Sequence, residues 1–286
     1  MNEDLRQRAN TLIEALPYLR EYWGATMVIK YGGAAMVEPE LKAMVLQDVV
    51  LLRYVGMYPV LVHGGGPEIS EMMRRLGKEP VFVRGLRVTD AQTMDIVEMV
   101  LMGRINQDLV AAVNAAGGKG VGLSGKHGKM LKVAKQPCEV DLGLVGAIAA
   151  VDPAIVGTLV AQGYVPVIAP IGFGEDGQTY NINADHAAGK LAGALRATKL
   201  IVLSDVPGIL RDARDQKTLV SSLTAEQGRQ MIASGQVESG MIPKVEACLD
   251  ALAEGVPRCH LVDGRAPHAL LMEIFTDVGI GTMVLP

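Results

Sequence analysis

Residues 27–36 read MVIKYGGAAM: an apolar run ends in a lysine and an aromatic, turns at two glycines and continues into helix formers. A strand that closes on Lys30 and turns at Gly32-Gly33 into a helix offers backbone N–H groups with no Cβ in the way, beside an ammonium group. The arrangement recurs in PVLVHGGGPEISEMM, residues 59–73, where His63 ends a strand, Gly64-Gly65-Gly66 turn, Pro67 suits the first helical turn and Glu68 follows it. Each is either an ordinary tight strand-to-helix turn or half of a divided cradle for a highly charged anion. The lysine, which a plain turn does not need, favours the cradle.

Working outward, the apolar runs MVIK (27–30), PVLVH (59–63), VGLS (121–124), YVPVIAP (164–170), KLIVLS (199–204) and CHLV (259–262) alternate with helical stretches long enough for crossovers. That alternation predicts an α/β fold, a three-layer sandwich with a central, mainly parallel sheet. Helices are expected within 38–57, 89–118 and 239–255, where apolar residues recur at three- and four-residue spacing. Residues 129–151 and 172–185 read as hairpins or small strands projecting from the main sheet. Leu5, Leu12, Ile13, Leu16 and Leu19 form a helical stripe over residues 3–22, broken near Pro17 and outside the repeating pattern.

The 286 residues are 49% hydrophobic with a formal charge of -4, enough for a large core and without the basic patch that nucleic acid binding needs. Cys138, Cys248 and Cys259 are odd in number and widely spaced, and the five histidines show no ligand spacing, so buried thiols and no structural metal are expected. With neither a signal-like N-terminus nor an apolar run of spanning length, the chain reads as cytoplasmic and free of membrane.

GVGLSGKH, residues 120–127, imitates two phosphate motifs and fits neither. As a dinucleotide fingerprint its strand begins inside the motif rather than before it, and as a P-loop it has His127 where Ser or Thr must stand. In SGMIPKVEACLDAL, Lys244 falls near a helix start, where the dipole disfavours a cation unless an anion is close; an exposed helix lysine is the commoner reading of the motif alone. In TYNINADHAAGKLAG, Asn181, Asn183 and Asp185 alternate as if on one face of a short strand, and Asp185 is placed either to cap the next helix or to read a ligand. Arg87, just before the helix start Thr89-Asp90, suits a carboxylate or a surface ion pair equally. KLIVLSDVPGIL ends its strand at Ser204-Asp205, a usual place for nucleotide contacts in open α/β sheets.

Together, Lys30-Tyr31-Gly32-Gly33, His63 to Gly66, Gly85 to Thr89, Asn181 to Asp185, Leu203 to Gly208 and Gly240 to Lys244 resemble, in order and over the whole chain, the N-acetylglutamate kinases of the amino acid kinase family. The resemblance implies an oligomerisation helix at 1–25, an acyl-amino-acid lobe at 26–185 and a nucleotide lobe at 186–286. By the same resemblance, Lys30 and Lys244 contact the transferring phosphoryl group of ATP and Asp185 holds the two ammonium groups. Gly33, Gly65 and Gly66 receive phosphate oxygens, with Gly65 and Gly66 also near the acceptor, N-acetyl-L-glutamate. Arg87 and Asn181 bind its α-carboxylate side, and Ser204 and Asp205 flank the nucleotide. Magnesium is expected to be held mainly by the phosphates. Where the family commonly has Asn, an acidic residue or Asn, and Asp, this chain has Ala34, Arg84 and His127.

The N-terminal helix resembles the extension that interlaces dimers into a hexamer, a trimer of dimers, in arginine-inhibited members. The C-terminal region carries their effector contacts onto His260, Glu273 and Gly279, with Lys199 and Tyr18 as further positions. L-arginine is thus the expected feedback inhibitor, and a PII-type nitrogen-signalling protein a partner the sequence leaves open. Rival readings are an amino acid kinase for an aminoadipate derivative or carbamate, a non-catalytic amino acid sensor, and a nicotinamide-dependent dehydrogenase disfavoured by the misplaced glycines.

Overall fold

The computed structural model describes residues 3–33, 36, 38–212 and 215–286. Among them fourteen strands, numbered in chain order, form three sheets. The main sheet contains β1 (Thr26–Tyr31), β2 (Tyr58–His63), β5 (Gly120–Ser124), β8 (Val165–Ala169), β11 (Lys199–Ser204), β12 (Ser222–Thr224), β13 (Cys259–Asp263) and β14 (Thr282–Leu285). Its order is β12-β14-β13-β11-β1-β2-β8-β5. The six strands expected from the apolar runs form its parallel heart, from β13 to β5. β14 runs antiparallel to β13, and β12 follows β14.

Side chains alternate across a strand, and the core divides accordingly. Met27, Ile29, Tyr31, Leu61, Ile201 and Leu203 pack on one face; Val28, Val60, Val62, Leu200 and Val202 pack on the other. Strands buried on both faces need near-continuous apolar sequence, and each fully buried Leu, Ile or Val stabilises by roughly 1.5–3 kcal/mol. Both cores run beneath strands of both expected lobes, so one sheet carries the whole chain. The expected boundary at 185/186 lies in the first turn of helix Ala184–Ala194.

The two excursions are not separate hairpins. β6 (Leu131–Lys135), β7 (Gly146–Val151), β9 (Ile171–Gly174) and β10 (Thr179–Asn181) join in one four-stranded sheet, because β6 pairs in parallel with β9. A two-stranded hairpin of β3 (Phe82–Val83) and β4 (Leu86–Arg87) turns at Arg84 and Gly85, φ 50° and 79°, the paired positive angles of a tight hairpin turn. The expected single helix over 89–118 is three pieces: an α-helix Ala91–Glu98, a π-helical segment Met99–Asn106 and an α-helix Gln107–Ala115. At the N-terminus, helices Glu3–Glu14 and Leu16–Glu21 meet at Ala15, since Pro17 is accommodated in the first turn of the second. Leu5, Leu12 and Ile13 of the first are 61%, 73% and 67% exposed.

Asp90 caps helix Ala91–Glu98 by accepting from Thr93 N at 2.8 Å while pairing with Lys78, and that pair, with the cap bond, draws its pKa from 3.8 down to about 2. Asp90→Ala is expected to cost about 1 kcal/mol in urea unfolding, mostly from the cap, because the exposed ion pair is screened. A depressed carboxylate stabilises above its unfolded pKa, so the gap between wild type and variant is full above about pH 4 and closes as pH falls through about 2.

Candidate active site

A helix that leads into a parallel strand runs back against it and starts at the sheet's carboxyl edge. Helix Ala184–Ala194 leads into β11 and helix Ile242–Ala253 into β13; the two pack together, so their N-terminal turns meet beside the ends of β1, β2 and β11. On β1, Lys30 shares a face with buried Val28, and its side chain, 9% exposed, reaches past the apolar layer to those turns. Lys30 Nζ lies 3.0 Å from Asp185 Oδ1 in ionic contact, and Lys244 Nζ donates to Asp185 Oδ2 at 3.2 Å. Burial alone would push the Asp185 carboxyl up, but the two ammonium groups outweigh it and hold it below the usual carboxylate range. Two positive charges on one negative leave a unit of positive charge at the edge of the sheet.

The sequence left Asp185 between capping and ligand reading, and the structure separates the tasks. Asn183 is the cap: its Oδ1 accepts from Asp185 N at 2.8 Å and His186 N at 3.2 Å. With the cap supplied two residues earlier, the Asp185 carboxylate is released to the lysines. The expected strand face of Asn181, Asn183 and Asp185 is corrected in the same way, because β10 ends at Asn181 and a helix has begun by Ala184.

Both glycines of the opening stretch are explained by close approach. A Cβ on Gly32 would come within 2.7 Å of Lys30 Nζ, and one on Gly33, φ 75°, would collide with the Asp205 carboxylate. Gly33 and Asp205 are thereby brought together, and Ser204, buried at the end of β11, accepts from Val206 N at 3.2 Å to start the turn.

Beside the triad, a cleft of about 180 Å³ is lined by Gly64, Gly65, Gly66, Arg87, Asn181 and Asp185, among others. The helix Gly66–Arg75 starts in its wall with no side-chain cap, leaving first-turn N–H groups for an anion. Arg87 is only 6% exposed. It donates to Gly66 O and Ser70 Oγ, both at 2.8 Å, and lies 4.7 Å over the Phe82 ring across the β3–β4 hairpin. Burial, reinforced by Arg74, lowers its pKa to about 10, so it remains cationic at neutral pH. Asn181 donates to Thr89 Oγ1 at 3.3 Å on the same wall.

Arg84 and His127 lie elsewhere: Arg84 pairs with exposed Glu139 at 3.0 Å, and His127 Nδ1 accepts from Ser124 N at 2.9 Å in the turn after β5. Ala34 lies outside the described residues. Sequence reasoning missed a second, mostly apolar pocket of about 50 Å³ beyond Ser204-Asp205, lined by Val206, Ile209, Leu210, Val237 and Met241. Its signal was the apolar run straight after the Ser-Asp strand end. Among the described residues no group of three His, Cys, Asp or Glu could hold a metal ion, and no helix is long and apolar enough to cross a membrane.

The regulatory candidates converge at the opposite edge of the sheet, near the starts of β11 and β13. His260 Nδ1 donates to Glu273 Oε1 at 2.6 Å, while Glu273 Oε2 accepts from Ile280 N and Gly281 N at 2.7 and 3.2 Å. Burial would raise Glu273, yet His260 and these N–H groups hold it below its ordinary value; burial lowers His260. A Cβ on Gly279, φ 64°, would reach the Glu273 carboxylate at 2.9 Å. Lys199 Nζ lies 4.6 Å from the Tyr22 ring centre, and Tyr18 donates to Asp277 at 2.5 Å, so the second N-terminal helix rests on this cluster.

An open parallel sheet with glycine turns and paired lysines at its carboxyl edge defines a phosphoryl-handling α/β protein, and residues 25–263 match the model of the amino acid kinase family. The chain belongs to that family. Within it, the chain falls with the acetylglutamate kinases. It is 54% identical to the acetylglutamate kinase of Pelotomaculum thermopropionicum, over 97% of this chain and 98% of that one. It is 53% identical to that of Symbiobacterium thermophilum over all of both. Among solved structures it resembles the N-acetylglutamate synthase of Neisseria gonorrhoeae (TM-score 0.85, 27% identity), covering 97% of this chain but 63% of the synthase. A Giardia carbamate kinase shares the fold at TM-score 0.67 and 16% identity over 92% of this chain and 99% of that one.

Asp185→Asn keeps the shape of the triad and deletes its negative charge. It is expected to cost about 3 kcal/mol in urea unfolding, the low end for breaking a buried pair because Lys244 is 19% exposed, and millimolar sulfate should recover part of it. A variant as stable as wild type would show that the three charges are not coupled.

Proposed function

We propose that the chain catalyses ATP-dependent phosphorylation of the γ-carboxylate of N-acetyl-L-glutamate, an arginine-biosynthesis step that yields an acyl phosphate and ADP. The observation that carries this reading is the triad of Lys30, Asp185 and Lys244, set between the cleft with Arg87 and the turn with Asp205. A carboxylate oxygen attacks the γ-phosphorus while the bond to the β-phosphate bridging oxygen breaks and its electrons leave with ADP. No proton has to move. The attacking carboxylate, with a reference pKa of about 4.3, is already ionised, so no general base is required.

What opposes the reaction is repulsion. Two unit charges about 4 Å apart interact by roughly 4 kcal/mol at an effective dielectric near 20, so a carboxylate approaching a polyphosphate needs fixed positive charge and donors. In this reading Lys30 and Lys244 supply that charge, Asp185 spaces them, and N–H groups at Gly33, Gly65 and Gly66 take phosphate oxygens. Arg87 and Asn181 hold the α-carboxylate end of the acceptor. Ser204 and Asp205 flank the nucleotide, whose base suits the apolar pocket at Val206 and Met241. Among the described residues no three His, Cys, Asp or Glu side chains group as a metal cage, so in this reading magnesium would arrive on the nucleotide phosphates and neutralise part of their charge.

Hydroxamate trapping of the acyl phosphate with acetylglutamate as acceptor tests the reading. Lys244→Ala is expected to lower kcat by about a hundredfold or more while changing KM for acetylglutamate severalfold at most, the pattern of a group that acts on the transition state. Unchanged turnover would remove Lys244 from the chemistry.

A second proposal is feedback inhibition by L-arginine in a cytoplasmic hexamer, a trimer of dimers. It is supported by the convergence of Lys199, His260, Glu273 and Gly279 under the N-terminal segment that carries Tyr18. The exposed Leu5, Leu12 and Ile13 of the first helix suit a helix from a second dimer. A guanidinium would compete with His260 for Glu273. Docking of a PII-type regulator is left to a binding assay with that partner. Deleting residues 1–22 is expected to give dimers with blunted arginine inhibition; a truncated protein that stays hexameric in light scattering would refute the assembly.

A further inference from the structure

His63 ends β2 at the rim of the active cleft, fully buried and unused by the chemistry above. Its Nδ1 is 2.8 Å from Gly64 O, which only accepts, so Nδ1 carries the proton and donates. Its Nε2 is 3.1 Å from Asn106 Nδ2, which also donates to Val167 O at 2.8 Å. That second bond fixes the amide: a flipped Asn106 would set its oxygen against a carbonyl. Both Nδ2 hydrogens are therefore spent, one on β8 and one on His63, and the imidazole is held as the neutral Nδ1–H tautomer. Burial takes its pKa down to about 4, so it keeps that form across the neutral range.

Asn106 is the last residue of the π segment Met99–Asn106, and the same segment backs the next residue of the turn. A Cβ on Gly65 would lie 2.5 Å from Ile105 Cδ1 and 2.7 Å from Leu101 Cδ2. A π-helical insertion changes which residues face inward, and here Leu101 and Ile105 reach the glycine turn while Asn106 reaches His63 just before it. Asn106 Oδ1 has no hydrogen-bond partner among the described residues and lies where a Cβ on Gly122 of β5 would overlap it. An unsatisfied buried acceptor is a cost that packing alone does not require.

We propose that the π segment is a positioning scaffold for the anion-binding turn Gly64–Gly66, and that Asn106, acting through His63, sets the direction of the Gly64–Gly65 peptide. A trans peptide holds its C=O and N–H opposite each other, so fixing Gly64 O on His63 aims the Gly65 N–H away from the imidazole. Gly65 and Gly66 line the cleft. Losing the Asn106 donor leaves Nε2 without a partner, so the ring is no longer held at both nitrogens and the Gly64–Gly65 peptide is free to rotate with it. Asn106 and His63 are positioning residues: neither need touch substrate.

The inference rests on the cleft being the phosphoryl-transfer site, and the test has one readout that does not. In protein labelled with nitrogen-15 histidine, the wild type is expected to show an Nδ1–H histidine with no titration above pH 5 that is assigned to His63 by its loss in His63→Asn and is distinct from the His260 signal. In Asn106→Leu the ring should stay Nδ1–H, but its Nε2 resonance should move to that of a lone pair with no hydrogen bond. With ATP and acetylglutamate, Asn106→Leu should lose about ten- to hundredfold in kcat, the scale of a misaimed transition-state donor, with KM for acetylglutamate changed by less than about threefold. His63→Asn, whose amide nitrogen can stand in for Nδ1–H, should recover most of the turnover that His63→Leu loses. Gly122→Ala, which crowds Asn106 from β5 without deleting a donor, should move both readouts the same way and serves if Asn106→Leu does not fold. A folded Asn106→Leu protein with the Nε2 resonance of His63 unchanged, or with wild-type kcat, overturns the proposal. Wild-type protein inert toward acetylglutamate would instead sink the functional reading, while the Nε2 signal would still judge the Asn106–His63 pair.

Discussion

Three charges that share no stretch of chain meet at the carboxyl edge of the sheet, and the rest of the site is arranged around their imbalance. Lys244 sits in the first turn of a helix, where the macrodipole works against a cation, and Lys30 is drawn out of the buried layer of a central strand. Neither position is favourable alone. Asp185 compensates both, and its own place near a helix N-terminus is one a carboxylate prefers. The positive charge left over is what an incoming phosphoryl group can relieve, so a costly arrangement in the empty site becomes a favourable one when an anion arrives. In the proposed reaction this would act as electrostatic preorganisation, which speeds charge redistribution without a proton shuttle.

The parallel sheet was legible because its strands are buried on both faces and leave uninterrupted apolar runs in the chain. The ambiguity at Asn183 and Asp185 was not resolvable from sequence, since Asn and Asp cap helices equally well and only the positions of two distant lysines decide which carboxylate is needed elsewhere. Arg87 was picked out but not its setting, because the hairpin that lays it over Phe82 has strands of two residues, too short to show alternation. The joining of the two excursions into one sheet depends on a parallel β6–β9 pair, a non-local contact that no local pattern records.

The π segment was hidden for a different reason. One extra residue per turn scarcely alters an apolar pattern that tolerates both three- and four-residue steps, so residues 89–118 read as a single helix. Its effect is visible only in what it touches. His63 was equally opaque: a histidine after an apolar strand is as consistent with a surface as with a core, and its burial follows from Asn106 and Val167, brought up by other elements.

The Ser204-Asp205 turn and the Glu273 cluster lie toward opposite ends of the same pair of strands. β11 starts at Lys199 and ends at Ser204, and β13 carries His260 near its start and Asp263 at its end. A strand rises about 3.3 Å per residue, so the two ends of β11 are separated by roughly 17 Å of fully buried backbone. Close-packed strands pass on displacement rather than absorb it. A ligand that parted His260 from Glu273 would act on helix Ala269–Ile274 and on the starts of both strands. The turn holding Asp205 against Gly33 lies at the far end of one of them. Coupling between the two edges therefore needs no relay of side chains; it needs only that β11 and β13 shift as bodies against β1, whose last residues carry Lys30.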